Sequence, residues 1–437
     1  MLRTILVLTI TALGIGFAFQ GALYSLLFYL WVAYFRPENW VWNDWVRNLN
    51  LSYAAGAWTV IAVVLTRVRW RFNVRVLLLG LFLLQTLLSA LFTSRPDYVW
   101  PFWVEFCKTA CITYLIVMLV TSVADLRLAL LVIGLSLGFE AAKQGWVGLL
   151  THPGAANLNE LPMLGDNNGV AVGILMLVPI LTALAGTAKH KGEETLLRIL
   201  AVGSLYRAIS TYSRGGFLAC GALGVMYLSR SNKRMAAVLG VMLVVMLIAP
   251  AMPNAFWDRM STIEQAEDGS ALGRLHFWKV AVDMADEHPL VGVGHNAYNA
   301  VYDEYDHSNS EFGAARSVHS IWFGYLAELG YPGLLLFAVQ LLLGFRAASR
   351  ARKAAALNPA YADLGKFAFA IEASLVVFAV GGTFVPLQYN EMFWHVVGFS
   401  IVLNGLAAEA LATAPALAAA RAVPEALSPW RPVPAAP

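Results

Sequence analysis

Long apolar runs follow one another along almost the whole chain, and they constrain the fold more than any other feature of the sequence. A helix needs roughly 20 such residues to cross a hydrocarbon core of about 30 Å. The first two runs are short and predict one broken span, a re-entrant pair or two tilted helices. The pattern predicts an all-α, polytopic helical membrane protein with about twelve transmembrane helices. The runs lie near residues 2–18, 21–35, 51–66, 74–93, 101–121, 127–149, 168–187, 196–209, 216–229, 235–250, 318–345, 367–386 and 390–412.

The composition excludes a soluble multidomain protein. Of the 437 residues, 59% are hydrophobic and only 13% are charged, whereas about 25% of a soluble protein is charged. Cys107, Cys111 and Cys220 lie inside apolar runs and are interpreted as packing residues, because helical i,i+4 pairs rarely reach disulfide geometry. Residues 1–18 resemble a signal peptide without a convincing cleavage site, so they are predicted to be the first span.

Basic residues cluster in four of the short connections between apolar runs, and these clusters predict the orientation of the chain. Alternating crossings put all four on the same side, which the positive-inside rule identifies as the cytoplasm. The polar stretch at 250–317 then faces the periplasm of a bacterium, as do 150–167 and 210–215. The clusters are Arg67, Arg69, Arg71 and Arg75; Lys189, Lys191 and Arg198; Arg230, Lys233 and Arg234; and Arg346, Arg350, Arg352, Lys353 and Lys366.

The polar stretch at 250–317 is the one large loop in this arrangement. Within it, DGSALGRLHFWKVAVDMADEH carries apolar residues at helical spacing, and Pro289 and Gly292 end the pattern. Residues from Pro415 onward are rich in Ala and Pro and predict a disordered cytoplasmic tail. The predicted organisation is an N-terminal transmembrane bundle at 1–249, a large periplasmic loop with helices at 250–317, C-terminal transmembrane helices at 318–413, and the tail at 414–437.

Several residues suited to chemistry lie at the predicted outward ends of the spans. Arg214 stands beside Gly215 and Gly216, which let a ligand approach the free N–H groups of a helix start. Arg274 lies in the loop helix, and Arg316 and His319 lie at the entry to the next run. Structural alternatives are an Arg that contacts lipid headgroups, a surface ion pair and a His that caps or packs a helix.

Taken together, these groups favour transfer of a group from a lipid pyrophosphate to a hydroxyl. Multiple Arg side chains suit a pyrophosphate because they form bidentate, charge-assisted hydrogen bonds. A His suits a general base at neutral pH. Lys143 lies within a predicted span, where a cation needs a partner or an anion.

The segment GDNNGVA at 165–171 opens another span. Asp166 is a predicted N-cap, and this role alone explains it. The paired Asn167 and Asn168 are not explained by capping, and they suit hydrogen bonds to a sugar or a phosphate.

The acidic segment DEYDHSNSE at 303–311 is the one sequence feature that suits a divalent cation. Its spacing matches no known ligand loop, so a solvated acidic turn is the simpler interpretation. Nucleotide-binding, Ser-hydrolase and zinc motifs are not found in the sequence. We therefore predict no metal, no cofactor and no nucleic-acid partner.

The chain resembles the bacterial O-antigen ligase and polymerase superfamily over roughly residues 20–345. The order of the motifs and their flanking spans makes the set specific, although each motif alone is loose. YFRPENW at 34–40 also resembles the O-glycan ligases often linked to exosortase systems. The segments that carry the resemblance are GDNNGVA (165–171), YSRGGFLA (212–219), WDRMSTIEQAEDGSALGRLHFW (257–278), HPLVGVGHNAY (288–298) and HSIWFGYLAELGYPGLLLF (319–337).

The resemblance implies a multi-pass enzyme of the inner membrane with a large periplasmic loop. Such an enzyme moves a glycan from undecaprenyl pyrophosphate to an acceptor, which is a lipid A-core sugar, another lipid-linked repeat or a protein hydroxyl. By motif, His319, Arg214 and Arg274 are expected to be catalytic. The expected substrate-binding residues are Arg316, Lys143, Asp166, Asn167, Asn168 and Tyr212.

Ligation to the lipid A core is the favoured interpretation, since the YFRPENW and DNN motifs lean towards ligases. Polymerisation and protein O-glycosylation with the same donor remain open. A flippase for lipid-linked sugars is the alternative from another class of protein. It is disfavoured because the polar residues cluster at one face of the membrane rather than through its depth.

Overall fold

The computed structural model describes residues 2–41, 48–161, 163–231, 235, 257 and 269–422, and within them the chain is helical without a β-strand. The predicted span at 235–250 and the first part of the large loop lie almost wholly outside the described residues. The described helices up to the loop are α1 Leu2–Ala18, α2 Ala22–Phe35, α3 Leu51–Leu65, α4 Val74–Leu91, α5 Pro96–Leu119, α6 Val123–Thr151, α7 Asn167–Gly186, α8 Lys191–Ile209 and α9 Arg214–Arg230.

The loop and the C-terminal part are also helical where they are described. The helices are α10 Gly269–Glu287, α11 Tyr298–Tyr305, α12 Ile321–Leu357, α13 Ala362–Gly381 and α14 Glu391–Ala422. The loop helix predicted to end before Pro289 is confirmed as α10. Helix α14 continues eight residues beyond 414, the predicted start of the tail, and residues 423–437 lie outside the described part.

Six helices of the described part are long and apolar enough to cross a membrane. The fold class is therefore confirmed as a polytopic helical membrane protein, while the total of about twelve spans stays a prediction. The first two apolar runs are separate helices that form a hairpin: the Ser25 hydroxyl donates to the Ala18 carbonyl at 2.7 Å. The six helices are α4, α5, α7, α12, α13 with the short turn before it, and α14.

Helix α12 is broken within its long apolar stretch. Gly330 has φ of 66° and ψ of −174°, which divides the helix into Ile321–Leu329 and a longer second part. The break frees backbone groups that a membrane interior cannot solvate. The loop segment 288–297 supplies partners for them: Tyr331 N donates to Pro289 O at 3.0 Å, and Val293 N donates to Ala327 O at 2.9 Å.

Side chains of α4 secure this docking from the other side. The Gln85 amide donates to Leu290 O at 2.7 Å and to Leu329 O at 2.8 Å. The Ser89 hydroxyl donates to Glu328 O at 2.6 Å. The large loop is therefore held against the broken helix by hydrogen bonds from within the bundle.

The basic clusters and the candidate site lie at opposite ends of the bundle. Arg230 and Arg352 both contact the carboxylate of Glu372, and the Lys366 ammonium donates to Gly186 O at 2.7 Å. Gly186 and Arg230 are the last residues of α7 and α9, Arg352 lies near the end of α12, Lys366 lies near the start of α13, and Glu372 lies in the middle of α13. Arg75 belongs to the first predicted basic cluster. It is buried in the first turn of α4 and donates to the Ser400 hydroxyl at 2.8 Å.

Candidate functional site

The end of α13 contacts the starts of α9 and α12. Arg214, predicted to be catalytic, is the first residue of α9, and His319, also predicted to be catalytic, lies two residues before α12. Ile321 N donates to Gly382 O at 2.7 Å, and the Trp322 indole donates to the Thr383 hydroxyl at 3.1 Å. A Cβ atom on Gly215 would stand 3.3 Å from the Cβ atom of Phe384. Arg214 and His319 are therefore brought to the same end of the bundle.

Helix α10 packs against the start of α12 through Trp278. Its indole donates to Val318 O at 3.1 Å, and its ring stacks on Phe323 with centroids 5.0 Å apart. Arg274 lies one turn before Trp278 on this helix, and the Phe277 ring lies 6.2 Å from the His319 ring. The loop helix thus holds Arg274 beside His319.

A cavity of about 780 Å³ opens between α10, the segment 310–316 and His319. Arg274, Arg316 and His319 line it, together with Glu311 and the rings of Phe277 and Phe312. The cavity therefore places two of the predicted cations, Arg274 and Arg316, beside the predicted imidazole, and their roles stay predictions.

Burial and the neighbouring arginines favour the neutral form of the His319 imidazole by lowering its pKa. Burial lowers the pKa of His319 below its usual 6.5, and the positive charges of Arg274 and Arg316 lower it further. The carboxylate of Asp166 opposes them by raising the same pKa. A neutral imidazole can accept a proton, so His319 is in the correct state for a general base near pH 7.

Asp166 caps α7, as predicted. Its Oδ1 accepts Gly169 N at 2.9 Å, and its Oδ2 accepts the Asn168 amide at 3.2 Å. The Asn167 amide donates to Thr211 O at 3.2 Å, in the turn before Arg214. The three polar residues at the start of α7 therefore brace one another and this turn.

Tyr212 and Arg214 lie on either side of the N-cap of α9. Tyr212 has a left-handed backbone with φ of 56°, and its hydroxyl donates to Gly154 O. Ser213 caps the helix by accepting Gly216 N at 3.1 Å, and Arg214 is the first, half-buried residue of α9. Within the described residues, the lining of the His319 cavity does not include Arg214 or Tyr212.

Lys143 is held apart from this cavity. Its ammonium pairs with Glu140 at 2.7 Å, three residues earlier on α6, and lies 4.4 Å from the centre of the Trp40 ring. The partner that the sequence required for Lys143 is therefore Glu140.

The acidic segment of the loop is engaged in structural contacts. Asp306 accepts His276 Nε2 at 2.8 Å and Ser308 N at 2.9 Å, Asp303 accepts Ala315 N at 2.9 Å, and Glu304 pairs with Arg95. In the described ranges, we find no group of three or more His, Cys, Asp or Glu side chains placed to hold a metal ion.

Sequence reasoning missed Arg207, which is fully buried on α8. Its guanidinium donates to the Gln144 side chain at 2.8 Å, to Asn157 O at 3.1 Å and to Asn159 O. It therefore ties the segment 152–160 to α8, just before the turn that carries Tyr212. The signal that could have identified Arg207 is its charge inside the predicted apolar run 196–209.

A comparison with known protein families matches the part of the chain that carries this site. Residues 199–338 match the family model described as O-antigen ligase, and this segment contains Arg214, Arg274, Arg316 and His319. The match bears out the resemblance over this segment and supports membership of the O-antigen ligase superfamily. Members of this family are glycosyltransferase-like ligases and polymerases. A search of curated proteins gives no match.

Proposed function

We propose that the protein is an O-antigen ligase, which transfers a glycan from undecaprenyl pyrophosphate to a sugar hydroxyl of the lipid A core. The reaction would take place at the periplasmic face of the inner membrane. The observation that carries the proposal is the His319 cavity, where two Arg side chains stand beside an imidazole whose pKa is lowered. The family match over this same segment supports it.

The proposed mechanism is a single displacement. The acceptor oxygen attacks the anomeric carbon as its proton passes to His319. The bond from that carbon to the pyrophosphate oxygen breaks, and its electron pair leaves with the lipid pyrophosphate. Attack from the face opposite the leaving group inverts the anomeric carbon.

Cations in the site would stabilise the leaving group. Arg274 and Arg316 line the cavity, and Arg214 stands at a helix start at the same end of the bundle. Preorganised cations aimed at developing charge lower a barrier by several kcal/mol, on the order of 3 for one donor. A role for Lys143 is not supported by its pairing with Glu140.

Polymerase and protein O-glycosylation activities are the alternatives within the same chemistry, because they use the same donor and differ in the acceptor hydroxyl. A lipid-linked sugar flippase is the alternative from another class. The concentration of cations and imidazole at one end of the bundle favours transfer over transport.

The test is glycan transfer to the lipid A core by the purified protein in liposomes, with EDTA and without ATP. Wild-type protein is expected to be active under these conditions, since Arg side chains neutralise the pyrophosphate. His319→Ala should lower turnover by at least about 10², the usual worth of a general base. His307→Ala, an exposed His in the same loop, is the matched control and should retain full turnover.

Two results would overturn the mechanism. If His319→Ala keeps more than about a tenth of wild-type turnover, the general base is wrong. If EDTA abolishes transfer and Mg²⁺ or Ca²⁺ restores it, the Arg-centred mechanism is wrong. Transfer to another lipid-linked repeat, but not to the lipid A core, would identify a polymerase.

A further inference from the structure

A second cavity, of about 360 Å³, includes Asp166 in its lining. Its volume is within the range of small-ligand sites, about 300–1,000 Å³. The polar residues of its lining are Asp166, Asn296, Gln388, Tyr389 and Asn390. The cavity is built from three distant parts of the chain: the segment 163–166 that leads into α7, the loop on the Gly330 break, and the α13–α14 connection.

Gln388 is a buried member of the cavity lining. The residue is only 4% exposed, and its amide nitrogen donates to Glu328 Oε2 at 3.2 Å. Its backbone oxygen accepts the Trp394 indole at 3.2 Å. Its side-chain oxygen Oε1 is buried and has no hydrogen-bond partner among the described residues. The Gln388 amide therefore packs against Gly324 and Glu328 of α12 and forms the buried back of the site.

Asn296 adds a free amide. Its backbone is left-handed, with φ of 58°, a conformation that Asn tolerates better than most side chains. The residue is half-buried, and its side chain makes no hydrogen bond within the part of the chain that the structure describes. Asn390 is fixed nearby, since its amide donates to Met163 O at 2.9 Å.

The lining selects a neutral, polyhydroxylated ligand. Amides offer both donors and acceptors, and Asp166 offers acceptors. Among the described lining residues, the cavity has no Lys, Arg or His, so it does not suit a phosphate. The Tyr389 ring packs on His295 with centroids 3.9 Å apart, which makes it a rigid wall.

We infer that this cavity binds a sugar ring of the glycan substrates beside the reacting centre. The inference rests on the proposed function. Asp166 links the two sites, because it lines this cavity and also acts on the charge of His319. The ring belongs either to the glycan of the donor or to the acceptor core. Both saccharides present ring hydroxyl groups, which are the groups that the amides would bind.

The test measures binding directly, without turnover. The probes are the glycan released from its lipid pyrophosphate by mild acid and the core oligosaccharide released from lipid A. One of them is expected to bind the purified wild-type protein, which identifies the source of the ring. Asn296→Gly keeps the left-handed backbone and removes the amide, and it should weaken that binding by about tenfold.

Two further variants complete the comparison. Asn296→Asp keeps the shape, removes both N–H donors, and should also weaken binding. Asn299→Ala, at an exposed position three residues later, is the control and should bind like the wild type.

The outcomes separate this inference from the proposed function. His319→Ala should bind the probe normally. The sugar site is wrong if neither probe binds, if both Asn296 variants bind like the wild type, or if inorganic pyrophosphate displaces the probe. Should transfer depend on His319 while the Asn296 variants bind normally, only the sugar site fails. Should binding behave as expected while His319→Ala transfers normally, only the mechanism fails.

Discussion

His319 has a left-handed backbone with φ of 46°, which a side chain other than Gly rarely adopts. Such a conformation costs about 1–3 kcal/mol and persists where surrounding contacts impose it. Here the contacts are the Trp278 indole on Val318 O and Ile321 N on Gly382 O. The neighbouring helices therefore set the position of the imidazole.

The charges near His319 predict opposite pH effects for two substitutions. The base must be neutral, so activity falls as pH drops through the pKa of His319. Asp166 raises this pKa, so Asp166→Asn should move the acidic limb of kcat/KM to lower pH. Arg316 lowers it, so Arg316→Gln should move the limb to higher pH.

Asn is also a good N-cap, so the Asp166 variant should keep the start of α7. The measurement is the pH dependence of kcat/KM for each purified variant. Shifts in the same direction, or no shift in either variant, would show that another group controls the acidic limb.

At the scale of elements, the contact between segment 288–297 and the broken helix α12 positions the large loop. Glu328 takes part from the helix side: its Oε1 accepts Tyr298 N at 3.3 Å at the start of α11. A small core of the loop, which includes Phe277, Met284 and Tyr302, packs on Ala327. The position of α10, which carries Arg274, therefore depends on the break in α12.

Gly292→Ala should break this contact. Gly292 has φ of 68°, and an added Cβ atom would lie 2.3 Å from the Glu328 carbonyl carbon and 2.5 Å from Ala327 O. These are backbone atoms that cannot turn away, so the substitution should cost at least about 1–3 kcal/mol. Thermal unfolding in detergent measures the loss.

Gly80→Ala on α4 is the matched control for this substitution, because no atom lies within 4 Å of the added Cβ atom. Alanine is favoured over glycine in a helix by about 0.8–1 kcal/mol, so this variant should be as stable as the wild type or more stable. Equal stability of the Gly292 and Gly80 variants would contradict the proposed docking.

At the scale of the whole molecule, contacts separate a basic end from the end that carries the candidate site. Helix α7 runs between them: Asn167, at its start, bonds to the turn before Arg214, and Gly186, at its end, bonds to Lys366. Basic residues at one end of a bundle predict the cytoplasmic side.

Reporter fusions test this orientation. Alkaline phosphatase fused at residue 290 is expected to be active, because it would reach the periplasm. The same reporter fused at residue 350 is expected to be inactive, and the expression levels of the two fusions provide the control. Activity at 350 would reverse the orientation and place the His319 cavity in the cytoplasm.

The sequence by itself determined the features that depend on neighbouring residues. Apolar length predicted spanning helices, periodicity predicted the loop helix Gly269–Glu287, and a short-range signal predicted the Asp166 cap. The motif segments also predicted Arg214, Arg274 and His319 as one catalytic set. Arg274 and His319 do line one cavity, together with Arg316, whereas the described lining of that cavity does not include Arg214.

Only the tertiary structure decided the features that depend on residues far apart in the chain. It placed Lys143 on the Trp40 ring, buried Arg207 against the segment 152–160, and broke α12 where the loop docks. It also assembled the amide-lined cavity from Asn296, Gln388 and Asn390. Helix periodicity reports which face of one helix is apolar, but not which helix or loop covers it, so long-range packing alone could bring these groups together.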